Sequence, residues 1–275
     1  MISAQQQAEL RTKYNPDGSR QRAIQLHLLD MLAEFDRICK ENNIEYWLDS
    51  GTLIGAARHS GFIPWDDDLD VCILKKDVKR LKRAVEKEAT TTYKIIDAGC
   101  NNNHFHRWPR FVNESIIIDR EIKEADGSFS PKRENLWLDI FLQTEGTPET
   151  ARKINEIYGR CFRRRYKIKN DGLVNYIIGT ALYPVCILFE NIYSLYRRVI
   201  SGNELIHAIG SGFYSVRHKS DIFPLGEIEF ENKMYPAPKD YDSYLRRIYG
   251  DYTLLPKEED ICTHNYKNIE YKKIK

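Results

Sequence analysis

From Arg20 to Asn43 the apolar residues Ile24, Leu28, Met31, Phe35 and Ile38 recur at spacings of three and four, which places them on one face of an amphipathic helix. Asn42-Asn43 stops that helix, and the short aromatic run Ile44 to Leu48 predicts a strand. Asp49-Ser50-Gly51-Thr52 reads as a turn, and Leu53 to Arg58 as a short helix whose first amides face it. In WDDDLDVCILKKD polar and apolar positions alternate: as a strand, Asp66, Asp68 and Asp70 share one face while Leu69, Val71 and Ile73 share the other. Lys75 to Thr92 carries Val78, Leu81 and Val85 at helical spacing, and Asp240 to Tyr249 predicts a second such helix. Tyr93 to Ile96, Ser115 to Asp119 and Leu136 to Leu142 predict further strands. Strands alternating with helices predict an α+β protein, a mixed sheet with flanking helices.

The pattern changes between Arg160 and Arg198. A basic run of Arg160, Arg163, Arg164, Arg165, Lys167 and Lys169 precedes Gly172 to Phe189, which holds no charged residue. That stretch barely reaches spanning length, and Asn175, Gly179, Thr180 and Pro184 interrupt it. Two readings stay open: a helix lying in a membrane interface, with tyrosines around it and Arg197-Arg198 behind, or a buried helical hairpin. The chain therefore divides into an N-terminal extension (1–19), a catalytic core (20–150), a basic and apolar helical insertion (151–210) and a return to the core domain (211–275).

Composition narrows the function. With 275 residues the chain suits one large domain, or one domain with a subdomain. Its 42 Lys+Arg against 40 Asp+Glu leave a net charge of +2, which supplies no global field for a phosphate backbone, so nucleic acid is not expected as a partner. Six cysteines without a C-x-x-C pair indicate neither a zinc ribbon nor a redox dithiol. No basic-then-apolar leader stands at the start, so a cytoplasmic location is expected, with the inner membrane face as the place of any membrane contact.

The chemistry concentrates in the aspartates. Asp66, Asp67, Asp68 and Asp70 repel one another beside an apolar strand and call for a compensating cation. Mg²⁺, with Mn²⁺ as an alternative, suits a few carboxylates completed by water and phosphate oxygens. An EF-hand starting at Asp66 would need Gly at position 71 and Glu at 77, where the chain has Val71 and Asp77. In a sugar-nucleotide DxD motif the apolar strand leads into the aspartates, whereas here Val71 to Leu74 follows them. Upstream, Gly51 and Thr52 offer turn amides and a hydroxyl to a phosphate. Asp139, inside the apolar run Leu136 to Phe141, supplies a third carboxylate from another strand. His104 and His106, two residues apart without further ligands, make a weak metal signal within a polar surface loop.

The segment GTLIGAARHSGFIPWDDDLDV resembles the signature of the LicD-type phosphotransferases, relatives of fukutin and fukutin-related protein. LWLDIF is similar to that family's second acidic motif, and FENKMYPAPKDYDSYLRRIYGDYTLLP with His264 behind it resembles its C-terminal signature. The resemblance implies a nucleotidyltransferase-like fold that transfers a phospho-alcohol, typically phosphocholine from CDP-choline with CMP leaving, to a glycan or lipid-linked glycan at the cell surface, of teichoic acid, lipopolysaccharide or capsule type. It assigns metal binding and catalysis to Asp68, Asp70 and Asp139, with Asp66 as a fourth metal candidate, and places Gly51, Thr52, Arg58 and His264 at the substrate. Two alternatives remain: transfer of a nucleoside monophosphate from an NTP on the same fold, or a noncatalytic membrane-bound scaffold.

Overall fold

The computed structural model describes residues 2–88, 92–97, 99–101, 104–106, 108–123, 128–149, 151–152, 168–200, 202–208, 213–261 and 266–272, some of them as backbone alone. His264 and the basic run from Arg160 to Lys167 lie outside the described residues.

A capping box at Ser3 opens α1 (Ala4–Tyr14), and Ser19 caps α2 (Arg20–Glu41) by accepting from the Arg22 amide. The stripe from Ile24 to Ile38 on α2 is fully buried, as its spacing predicts. Then follow β1 (Tyr46–Leu48), α3 (Ser50–His59), β2 (Asp70–Leu74), a 3₁₀ turn at Lys75–Asp77 and α4 (Val78–Glu88). The expected turn at Asp49 to Thr52 is in fact the first turn of α3, with Asp49 as its N-cap. The strand expected to carry Asp66, Asp68 and Asp70 begins only at Asp70. Residues 66–69 instead run irregularly, held by Gln21 and Gln25, whose side-chain amides both donate to the Asp66 carbonyl.

Four strands follow: β3 (Tyr93–Ile96), β4 (Gly99–Asn101), β5 (His104–His106) and β6 (Arg110–Lys123). β4 and β5 pair as a small hairpin where a surface loop was expected. β6 and β7 (Phe129–Glu145) are far longer than their apolar runs suggest, because their outer halves carry alternating charges rather than core residues. The sheet bulges between Asn113 and Ile117, where Asn135 donates to the carbonyls of Glu114 and Ile116.

The segment Gly172 to Phe189 is neither a hairpin nor buried in its described side chains: it lies within one continuous helix, α5 (Ile168–Val199), with Pro184 inside. No helix among the described residues is long and apolar enough to cross a membrane. β8 (Glu204–His207), β9 (Arg217–His218), the short α6 (Lys219–Ile222), the hairpin β10 (Gly226–Phe230) to β11 (Lys233–Ala237), α7 (Tyr241–Tyr249) and β12 (Tyr266–Tyr271) complete the chain. Asp240 caps α7 from the Ser243 amide.

Eight described strands form the main sheet, in the order β1-β2-β7-β6-β12, with β3 also on β6 and β8-β9 extending from β7. The fold is α+β: β2 and β7 run parallel, and the neighbouring pairs are antiparallel. Phe35 of α2 meets Tyr46 and Phe111 edge-on at 5.2 and 5.5 Å, and Tyr93 stacks on Phe111, which joins helix and sheet into one core.

Candidate active site

The parallel pairing of β2 with β7 sets Asp70 directly opposite Asp139. Residues in register on neighbouring strands point to the same face, so two carboxylates far apart in sequence sit side by side, each on a strand whose next residues are buried and apolar. The ladder is continued by the Asp139 amide, which donates to the Leu69 carbonyl at 2.9 Å, and by the Asp49 amide, which donates to the Asp70 carbonyl at 3.1 Å. Asp66 hydrogen-bonds the side chain of Asp68 and lies within electrostatic reach of Asp70.

The charges are mutually unfavourable. Burial, then Asp68, then Asp139 push the Asp70 carboxyl well above its ordinary range; burial and Asp68 do the same to Asp66. Arg110, at the start of β6, supplies a counter-cation: it donates from Nε to Asp139 Oδ1 at 2.8 Å. Its guanidinium lies 4.0 Å over the Trp137 ring, with Arg120 at 4.7 Å from the same ring and Glu134 bonded to Arg120. Among the described residues no three Asp, Glu, His or Cys side chains are gathered closely enough to hold a metal ion by themselves.

Helix α3 presents its first turn to this cluster. Ser50 has a left-handed φ of 49°, a conformation that a non-glycine residue holds only where its surroundings enforce it. Gly51 follows, and a Cβ there would stand 2.6 Å from Asp66 Oδ2, so a larger residue requires the Asp66 carboxylate to move. Gly51→Ala is therefore expected to displace Asp66 and lower turnover by roughly 10²-fold, as a misplacement of about 1 Å does, with little change in melting temperature; steady-state kinetics beside a thermal melt checks this.

Thr52 does not face outward. Its hydroxyl accepts from the Asp70 amide at 2.8 Å in a buried position, so it fixes the strand that carries the aspartate. Thr52→Val should cost about 1–3 kcal/mol by stranding that amide, and Thr52→Ser should restore it; denaturant unfolding of the three proteins tests the pair.

Arg58 spends one guanidinium nitrogen on the carbonyls of Tyr252 and Leu254, at 3.0 and 2.8 Å, and donates from Nε to His59 Nε2. It thus clips the C-terminal loop to α3 at a point within electrostatic reach of Asp66. His59 is closed off by Gln7 of α1 on its other nitrogen, and burial with Arg58 beside it lowers its pKa to about 3, so the ring stays neutral.

Beneath the cluster lies a buried network that motif reading does not reach. Asp49 accepts from Tyr244 at 2.6 Å, Cys72 at 3.0 Å and Arg217 at 3.4 Å, while Arg217 also donates to Tyr244. Burial raises the Asp49 carboxyl, but Arg217 and the other donors outweigh it and hold it below its ordinary value. Tyr249 leaves part of its ring exposed yet bonds Ser50, and burial of the phenol, then Asp49 beside it, raises its pKa. Asp49 precedes the Ser-Gly-Thr motif directly, and Tyr244 and Tyr249 stand in the C-terminal signature; those positions were the available signal. Arg110 stands just beyond the His104 and His106 pair and belongs to no motif.

The chain is similar to known proteins over the span that carries these residues. The model of the family described as LicD/FKTN/FKRP, nucleotidyltransferase domain, matches residues 43–146, the span from β1 through β7 that holds Asp70 and Asp139. Lipopolysaccharide cholinephosphotransferase LicD of Haemophilus influenzae is 26% identical over 264 residues, covering 88% of this chain and 94% of that protein. Human ribitol 5-phosphate transferase FKRP is 46% identical over 90 residues, 27% of this chain and 18% of that protein, and an uncharacterized protein of Rickettsia prowazekii is 39% identical over 70 residues, 26% of each. Residues 43–146 thus match a LicD/FKTN/FKRP nucleotidyltransferase domain, and over most of its length the chain is similar to a LicD cholinephosphotransferase.

Proposed function

We propose that the protein transfers phosphocholine from CDP-choline to a hydroxyl of a cell-surface glycan precursor of the lipopolysaccharide class, releasing CMP on the cytoplasmic side. The observation that carries this reading is the in-register pair Asp70 and Asp139 beside Asp66 and Asp68, next to the first turn of α3. The near full-length similarity to a lipopolysaccharide cholinephosphotransferase supports the choice of transferred group and acceptor class.

The donor set fits a hard divalent cation, Mg²⁺ or Mn²⁺: every group is a carboxylate, and their crowding raises the cost of ionising Asp66 and Asp70. An open set completed by water and phosphate oxygens is what Mg²⁺ prefers, so a closed cage is not needed. When bound, the cation supplies charge neutralisation at the transferring phosphate. Asp68, Asp70 and Asp139 would hold it, with Asp66 behind. The amides of Gly51 and Thr52 at the α3 N-terminus would orient the donor phosphates. One carboxylate of the cluster would take the acceptor proton. Arg58 would act chiefly through the loop it holds, and His264 is retained as a substrate contact.

A panel of CDP-alcohols and NTPs, with membrane extract as acceptor, tests the reading. CMP release from CDP-choline is the expected result. Pyrophosphate release from an NTP, with no CMP from any CDP-alcohol, would overturn it in favour of nucleotidyl transfer.

A further inference from the structure

Helix α5 is 32 residues long, and most of its described apolar side chains are exposed. Val174, Ile178, Val185, Leu188, Ile192 and Leu195 recur at helical spacing and are exposed, Val174 to 70% and Leu195 to 61%. The stripe runs on to Val199, roughly 38 Å at 1.5 Å per residue. Exposed apolar residues scattered singly need no explanation, but a continuous stripe of this length marks an interaction surface. The helix is tied down from its C-terminal half: Ser194 bonds Glu145 and Thr144, and Tyr193 approaches Thr147.

A second observation identifies the partner. Between α5 and the ends of β2 and β7 lies a cleft of about 1000 Å³, lined by Ile187 and Leu195 of the helix and by Leu74 and Phe223 opposite. Five cations, Lys75, Lys76, Lys79, Arg198 and Lys219, line it against two carboxylates, Glu45 and Glu145. Glu145 is already shared by Arg198 and Lys219, so the excess charge lies at the start of α4, with Lys76 just before it and Lys79 in its first turn. An apolar stripe bordered by lysines matches the edge of an anionic bilayer, where acyl chains meet phosphate headgroups. A helix too short of apolar residues to span can still lie in that plane. A second copy of the chain would supply the same cations to the same cleft, which opposes like charges there.

We infer that α5 and the lysine cleft form a docking surface for an anionic phospholipid bilayer. The cleft opens where β2 and β7 end, about 13 Å along the strands from Asp70 and Asp139 at 3.3 Å per residue, so docking leaves the carboxylate cluster uncovered.

The test is flotation of the whole protein with phosphatidylcholine vesicles, with and without phosphatidylglycerol. Wild type should float at least tenfold more with the anionic vesicles. Val185→Glu with Leu188→Glu should abolish flotation, and Lys76→Glu with Lys79→Glu should remove the preference for phosphatidylglycerol. All four side chains are exposed, so thermal melts should match wild type. Absence of flotation on either vesicle would overturn the inference, and so would equal flotation on both. A lipid-independent dimer in sedimentation velocity that is lost in Val185→Glu with Leu188→Glu would give the surface to a second copy instead. None of these readouts depends on the proposed transfer reaction.

Discussion

Replacing Asp70 by Asn should abolish turnover, by ~10³-fold or more, and yet make the cation-free protein harder to melt. Asp70 is almost fully buried and faces Asp139 in register, with Asp68 and Asp66 in electrostatic reach. Its raised carboxyl means that ionisation at neutral pH works against the fold: the stability it contributes is present below the unfolded value of 3.8 and is lost as pH rises through the higher folded value. Asn keeps the shape, removes the charge and adds an N–H that a neighbouring carboxylate can accept. A gain of about 1 kcal/mol would raise the melting temperature by roughly 2–4 °C in a chain of this size. Thermal melts without divalent cation, beside steady-state turnover, check both halves. A lower melting temperature would contradict the repulsion, and near-normal turnover would contradict the role of Asp70.

Arg217→Met should have the opposite sign and a larger stability effect. Arg217 and Asp49 are both buried, and the pair joins β9 to the N-cap of α3, with Tyr244 of α7 bridging them. Removing one partner of a buried ion pair leaves an uncompensated charge, at about 3–5 kcal/mol, or roughly 10 °C in melting temperature. In the wild type Asp49 lies below 3.8, so its contribution is present above that value and is lost as pH falls through the folded value. Without Arg217, burial dominates, the Asp49 carboxyl moves above 3.8, and the group then costs stability as pH rises. Melts across a pH series should show this reversal in Arg217→Met, and Arg217→Met with Asp49→Asn should recover part of the loss. A melting temperature equal to wild type would show that the network holds nothing together.

Much of this was legible in the residues. The stripe on α2 lies at its predicted positions because helical period and burial follow from spacing alone. The pairing of Asp70 with Asp139 was not legible, since strand order and parallel register are non-local, although an Asp within the apolar run around each made both residues conspicuous. The strand begins at Asp70 rather than Asp66 because alternation alone does not register that the four carboxylates repel one another and that Gln21 and Gln25 of α2 take up the Asp66 carbonyl before the ladder starts. The segment Gly172 to Phe189 read equally as hairpin or surface helix because an uncharged run has no polar face to set its orientation. Arg110, Arg217 and Tyr249 carried no motif of their own; their importance arises only where folding brings them against Asp139 and Asp49.

The most direct measurement is CMP release from CDP-choline in wild type and Asp68→Asn, each with and without Mg²⁺, with melts confirming that both are folded. The account predicts release only in wild type and only with the cation. Equal release from Asp68→Asn, or release that ignores Mg²⁺ in the presence of a chelator, would contradict it.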